Sequence, residues 1–207
     1  MKDNFVITIG RQFGSGGHQI GRKLAGELGI SFYDKELIRL ASQQSGLKEE
    51  LFEQMDERRR FSLFGGVLGL QGIPVEEYYA DFYLSNETLF RIQADVIREI
   101  AGKDSALFVG RCADYILQSH PRAFHLFICA DQDDRISRVS KRFNLAAGKA
   151  GELITKTDKQ RASFYNHFTS KIWGAVESYH LCINSSFLGI EATVEFIHQM
   201  AARKFAL

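Results

Sequence analysis

At 207 residues, 45% of them hydrophobic and only two of them proline, the chain can form one α/β domain with a sizeable core and a smaller inserted subdomain, which excludes a disordered tail. Its 26 basic and 25 acidic side chains cancel to +1, so no global field recruits nucleic acid or an anionic membrane, and any polyanion site must be local. Three scattered cysteines (Cys112, Cys129, Cys182) exclude a full disulfide framework and a spaced zinc site, and the six histidines lack ligand spacing, so no metal ligand is expected.

The elements follow in chain order. Met1 leads through Lys2 and Asp3 into a strand with no signal-peptide pattern. No apolar run approaches the ~20 residues of a membrane helix, so a soluble, cytoplasmic protein is expected. Phe5, Val6, Ile7 and Ile9 read as a buried strand, Gly10, Gly14, Gly16 and Gly17 as a tight turn, and Ile20, Leu24 and Leu28 as a helix face. Glycines let several backbone N–H groups converge where the positive end of the helix dipole points, a geometry suited to phosphate.

The stretch nearly fits two motifs. A P-loop, G-x-x-x-x-G-K-[ST], would place lysine where Gly17 stands, and His18 and Gln19 follow; Arg11 holds the place of its first glycine. A dinucleotide fingerprint starting at Gly14 fails because Gln19 takes its last glycine position. A tight strand-to-helix connection without a ligand is the plain alternative.

Gly29 ends the first helix, and Ile30 to Tyr33 form a second strand ending at Asp34, which can cap the following helix or contact a ligand. Residues 47 to 60 read as a helix closed by Arg58, Arg59 and Arg60, and residues 61 to 75 as an apolar, glycine-rich flap. From Ser85 or Asn86 as cap, Leu89, Ile92, Val96 and Ile100 form a helix face, with Gln93 beside it as a substrate contact or a satisfied core amide.

Ser105 to Gly110 is the third strand and delivers Arg111; Phe124 to Ala130 is the fourth and delivers Asp131; Tyr179 to Ile183 is the fifth, before a last helix from Gly189. Between the last two strands, Arg135, Arg138 and Arg142 stripe one helix, and Lys156, Asp158, Lys159, Arg161 and Lys171 lie on a second, from about Glu152 to Ile172. Asn144 to Gly151 joins them as a hinge or lid tip. Strands alternating with helices imply a mainly parallel sheet covered on both faces. Ligands collect at the carboxyl ends of such strands, where the glycine loop, Asp34, Arg111 and Asp131 meet.

Taken together these segments resemble the nucleoside monophosphate kinases, most closely the cytidylate kinase-like proteins. ITIGRQFGSGGHQIGRKLAGELG is similar to their first strand, phosphate loop and first helix, and ISFYDKELIRLA to the segment that receives the monophosphate. LFVGRCADYIL is similar to their glycine-arginine strand end, FHLFICADQDDRISRV to the approach to their lid, TDKQRASFY to the lid's D-x-x-R, and LCINSSFLGIEATVEFI to their final strand and helix.

The resemblance implies a three-layer P-loop NTPase-like α/β fold with a five-stranded, mainly parallel sheet. It implies a single domain over 1–207, with a helical acceptor-binding insertion at about 35–102 and a lid at about 140–172. It implies ATP with Mg²⁺ as donor, and a nucleoside monophosphate or other small phosphate acceptor as partner, with no nucleic acid or membrane; monomer or homodimer stays open. Arg11, Gly14, Ser15, Gly16, Gly17, His18 and Gln19 would surround the donor phosphates. Asp34, Arg39 and Gln93 would hold the acceptor, Arg111 its phosphate, and Arg161 with Arg138 and Arg142 would close over the transferring group.

Four positions depart from the family pattern. The loop lysine and its neighbouring hydroxyl are missing, Cys112 stands in place of an aspartate, and Arg39 sits one residue closer to Asp34. Arg11, His18 or Arg22 would have to supply the lysine's charge. Two other readings follow from the same residues: a non-catalytic nucleotide-binding or regulatory module, and a nicotinamide-dependent oxidoreductase in which Asp34 grips a ribose.

Overall fold

The computed structural model describes residues 4–34 and 75–207. The expected helix at 47–60, the flap at 61–75 up to residue 74, and Arg39 lie outside them. The chain divides into two compact units, Met1–Asp34 with Arg98–Leu207, and Lys35–Ile97.

The first unit holds a five-stranded sheet in the order β2-β3-β1-β4-β5, with every pairing parallel. Its strands are β1 Val6–Arg11, β2 Ser31–Tyr33, β3 Ala106–Val109, β4 Ala123–Cys129 and β5 Leu181–Asn184. The expected strands are all present, shifted by one or two residues at their ends. β3 is an unbroken apolar run and β1 is buried from Val6 to Gly10 before it ends in Arg11, as central strands covered on both faces are.

Helix α1 (Gly17–Leu28) starts at Gly16 and stops at Gly29, whose left-handed backbone returns its N–H to the carbonyls of Ala25 and Gly26. Ile20 and Leu24 pack on Ile7, Ile9, Leu107 and Leu126 in one core, completed by Val194, Ile197 and Ala201. Those last three belong to the C-terminal helix, labelled α6 below.

Helix α2 (Val75–Lys103) begins ten residues before Ser85. Ser85 and Asn86 lie in its interior rather than at its start, because the helix-competent run upstream of them continues the pattern. In the second unit its described part buries Gln93, Ala94, Val96 and Ile97.

The short α3 (Ala113–Ile116) follows β3, and α4 (Gln132–Phe143) and α5 (Ala147–Thr169) follow β4. The expected hinge shrinks to three residues, 144–146, since α5 already starts at Ala147. The alanines there favour helix, and Ala150 is fully buried against Val139 and Ile154. α6 (Ser185–Phe205) is one turn capped by the Asn184 side chain and then a helix proper, separated at Gly189 with φ 78° and ψ 169°.

Thr8, Gly10, His125 and Phe127 occupy the sheet face opposite the main core. Thr8 and His125 are register partners on β1 and β4, and Thr8 Oγ1 hydrogen-bonds His125 Nδ1 at 2.8 Å. The His125 ring stacks on His180 at 4.9 Å, and burial pushes its pKa down to about 4, so it is neutral near pH 7.

Candidate functional site

The loop from Gly10 to Gln19 is built by tying its carbonyls outward. The Phe13 carbonyl accepts from Arg135 Nε at 2.8 Å, that of Gly14 from Arg138 Nη1 at 3.3 Å, and that of Ser15 from Ser185 Oγ at 2.7 Å. Within the loop Ser15 Oγ donates to the Gln12 carbonyl at 2.9 Å. The Gln12 N–H donates across to Ile128 at 3.0 Å.

With the carbonyls turned into the protein, the amides of Gly14, Gly16, His18 and Gln19 take no acceptor among the described residues. Gly14 and Gly16 make this possible through φ values of 81° and 80°. A Cβ at Gly16 would also stand 2.2 Å from Ile190 Cδ1. The result is a concave row of N–H groups at a helix N-terminus, the arrangement that binds phosphate.

A second layer holds that row in place. Asp158 on α5 accepts from the Phe13 N–H at 2.7 Å and pairs through its other oxygen with Arg135 of α4, which is buried. One turn along α5, Arg161 lies over the Phe13 ring at 5.4 Å and donates to the Arg11 carbonyl at 2.9 Å.

Positive charge then gathers at the loop. Burial pushes the Arg11 guanidinium down to about 9, with Arg161 and Arg111 adding repulsion that Asp34 partly offsets. Burial alone would raise the Asp34 carboxyl. The hydrogen bond from His18 and the charges of Arg11 and Arg111 bring it below the ordinary value instead. Asp34 thus sits 3.5 Å from Arg11 and 3.1 Å from His18; the helix it was expected to cap lies outside the described residues.

Arg111 lies in a run of three left-handed residues, Gly110, Arg111 and Cys112, at φ 79°, 59° and 55°. It makes no hydrogen bond or ion pair with another described residue, and its charge acts on both Arg11 and Asp34. Behind it Asp114, raised by burial, accepts from Tyr165 at 2.7 Å, which ties the Arg111 turn to α5 one turn beyond Arg161.

The structure therefore brings together Arg11, Gly14, Ser15, Gly16, Gly17, His18, Gln19, Asp34, Arg138 and Arg161, with Arg111 acting on them through its charge. Arg142 is exposed in the last turn of α4 over its neighbour Phe143, and no hydrogen bond ties it to the loop. Gln93 is buried in the other unit, with Nε2 lacking a partner among the described residues. Three further residues, Arg135, Asp158 and Ser185, shape the loop. The D-x-x-R spacing, which sets Asp158 and Arg161 on one helix face, and the arginine stripe that includes Arg135 were the signals for two of them; Ser185 had none.

Among the described residues no cluster of three His, Cys, Asp or Glu side chains could hold a metal, and no helix is long and apolar enough to cross a membrane.

The fold is that of the P-loop kinases. An uncharacterized protein from Eubacterium ventriosum ATCC 27560 is similar at 26% identity and TM-score 0.71, over 96% of this chain and 98% of that one. Shikimate kinase from Bacteroides thetaiotaomicron is similar at 14% identity and TM-score 0.53, over 98% and 99% of the two chains. TT1252 from Thermus thermophilus is similar at 14% and 0.54, over 97% and 98%. At 14% identity the likeness is one of fold. No curated protein matches the chain in sequence. The cytidylate kinase-like family matches residues 6–187, the stretch that contains the whole sheet, the glycine loop and the converging arginines, and the chain belongs to that family.

Proposed function

We propose that the chain is a phosphotransferase that passes the γ-phosphoryl group of ATP to a nucleoside monophosphate, cytidylate-like, or to another small phosphate acceptor. One observation carries this reading: unpartnered loop amides lie beside three arginines, Arg11, Arg111 and Arg161, whose charges act on one another and are only partly offset by Asp34 and, at Arg161, by Asp158. Such an excess of buried cations is relieved by a polyanion.

In the transfer, an acceptor oxygen attacks the γ-phosphorus in line, the bond to the β–γ bridging oxygen breaks, and ADP leaves with that electron pair. The chain's own work is positioning and charge neutralisation. The loop amides hold the donor phosphates, and Arg161, fixed through the Arg11 carbonyl, faces the same place. Arg111 is presented from the neighbouring strand end to the acceptor's phosphate.

Mg²⁺ would neutralise charge on the donor phosphates. The motif's Ser or Thr is replaced by His18, the Ser15 hydroxyl is turned to the Gln12 carbonyl, and Asp34 is engaged by Arg11 and His18. The electrostatics rest on the arginines.

A phosphorylation assay with ATP across nucleoside monophosphates tests the reading. Transfer is expected, falling on the order of 10²- to 10³-fold in Arg111→Ala and Arg161→Ala. Transfer to no acceptor, or full activity in both variants, sinks it.

A non-catalytic nucleotide-binding module is the second reading, favoured by the missing loop lysine at position 17; calorimetric nucleotide binding without turnover would establish it. The nicotinamide reading loses its basis. Both oxygens of Asp34 are taken, and the strand order β2-β3-β1-β4-β5 is not the 3-2-1-4-5-6 of dinucleotide-binding sheets.

A further inference from the structure

In a P-loop the cation comes from a lysine at the helix start, and the strand end carries glycine. In this chain both positions are altered, Gly17 standing where the lysine would be and Arg11 where the first glycine would be. The two residues touch. A Cβ on Gly17 would lie 2.7 Å from Arg11 Cβ, 3.2 Å from Ile128 Cβ and 3.3 Å from Arg11 Cγ. Arg11 Cβ is fixed to the backbone and cannot swing aside, so a side chain at 17 and one at 11 exclude each other.

Farther along, the Arg11 guanidinium passes over Gly110. A Cβ there would stand 1.9 Å from Nη1, and the Gly110 backbone is left-handed as well. Two glycines, one at the start of α1 and one just past the end of β3, thus clear one path, and the path ends between Asp34 and the charges of Arg111 and Arg161. At 3.5 Å the contact with Asp34 is at the outer limit of a hydrogen bond, so the guanidinium retains donors for a better acceptor.

The other two candidates for the missing charge are placed differently. Arg22 is exposed and lies over the Phe32 ring at 5.1 Å, and His18 is held by Asp34 and the edge of the same ring.

We propose that Arg11 is the phosphate-binding cation of the loop, delivered from the end of β1 instead of the start of α1, and that Gly17 and Gly110 are glycines because they make room for it. The inference rests on the phosphotransferase reading and assigns the residue that reads the donor's terminal phosphates. A planar guanidinium there binds two phosphate oxygens at once, which a lysine cannot do.

The test is reciprocal. Binding of ATP and of inorganic tripolyphosphate is measured by calorimetry on the full chain and its Arg11→Gly, Arg11→Met, Arg11→Lys, Gly17→Lys and Arg11→Gly/Gly17→Lys variants, with circular dichroism as the fold control. Arg11→Gly and Arg11→Met are expected to weaken tripolyphosphate roughly 10- to 100-fold, and Arg11→Lys to retain most of the affinity. Gly17→Lys alone should lose binding through the collision, and the double variant should regain affinity to within about tenfold of the parent as a lysine enters the vacated space.

Parent-like affinity in folded Arg11→Met, or a double variant no better than Arg11→Gly, overturns the proposal while leaving the phosphotransferase reading standing. If the unmodified chain binds neither ATP nor tripolyphosphate, both fall.

Discussion

The turns that leave β1 and β3 are neighbours in the sheet, and both enter left-handed backbone, yet they do so with different residues. After β1 the left-handed positions are Gly14 and Gly16; after β3 they are Gly110 followed by Arg111 and Cys112. A non-glycine residue held there costs about 1–2 kcal/mol. The first turn avoids that cost because its product is the backbone itself, a row of bare amides that side chains would obstruct. The second accepts it twice in succession because its product is a side chain, Arg111, aimed by the strained turn. Strain of this kind marks a position that the surrounding fold holds for a purpose.

Substitutions that disturb one turn and spare the other sharpen this contrast. The largest effect is expected from Asp158→Ala, which removes the acceptor from the Phe13 amide and leaves buried Arg135 without its carboxylate. A loss of about 3 kcal/mol in urea denaturation is expected, together with lost tripolyphosphate binding. Unchanged stability would show that the glycine loop keeps its shape without the two helices behind it.

Gly14→Ala comes next. Its Cβ would meet the Arg135 backbone at 3.0 Å while φ stays at 81°, so about 2 kcal/mol should be lost in the same measurement. Arg111→Gly should go the other way. Relief of left-handed strain is expected to raise stability by about 0.5–1 kcal/mol while phosphoryl transfer is lost. A variant both less stable and fully active would undo the distinction between a turn that is itself the surface and a turn that presents a group.

Smallest is a pH effect at Asp34, whose carboxyl in the fold lies below its ordinary 3.8. The unfolded chain takes up the proton first as pH falls. The stabilisation is therefore complete above pH 3.8 and is lost as pH drops through the lower folded value. Asp34→Asn should flatten this part of the acid-denaturation curve.

Much of the architecture could be read from local pattern. Five apolar runs, each ending near a polar or glycine residue, are the five strands, and the spacing of Ile20, Leu24 and Leu28 is the buried stripe of α1. The glycine density between Gly10 and Gly17 marked the tight strand-to-helix turn, because a close turn demands glycine wherever it occurs. Local pattern misled at Ser85 and Asn86, good caps in isolation that a helix continuing upstream absorbed.

It flagged Arg135 and Asp158 as members of charged stripes but not their contacts with Phe13, which span 122 and 145 residues of sequence. A charged stripe on α4 looked uniform from Arg135 to Arg142. Packing separates its members: the first is buried under the loop, Arg138 reaches a loop carbonyl, and Arg142 lies in solvent.

The bond between Thr8 and His125 has a consequence at some distance from itself. A slip of one residue between β1 and β4 would swing the imidazole to the other side of the sheet, among Ile7, Ile9 and Leu126, where no hydroxyl waits for it. The pair therefore acts as a key that admits one alignment of the two central strands. Three residues downstream, that alignment decides where Arg11 emerges and which carbonyl receives the Gln12 amide. The shape of the glycine loop is thus set partly by a polar couple that lies outside it.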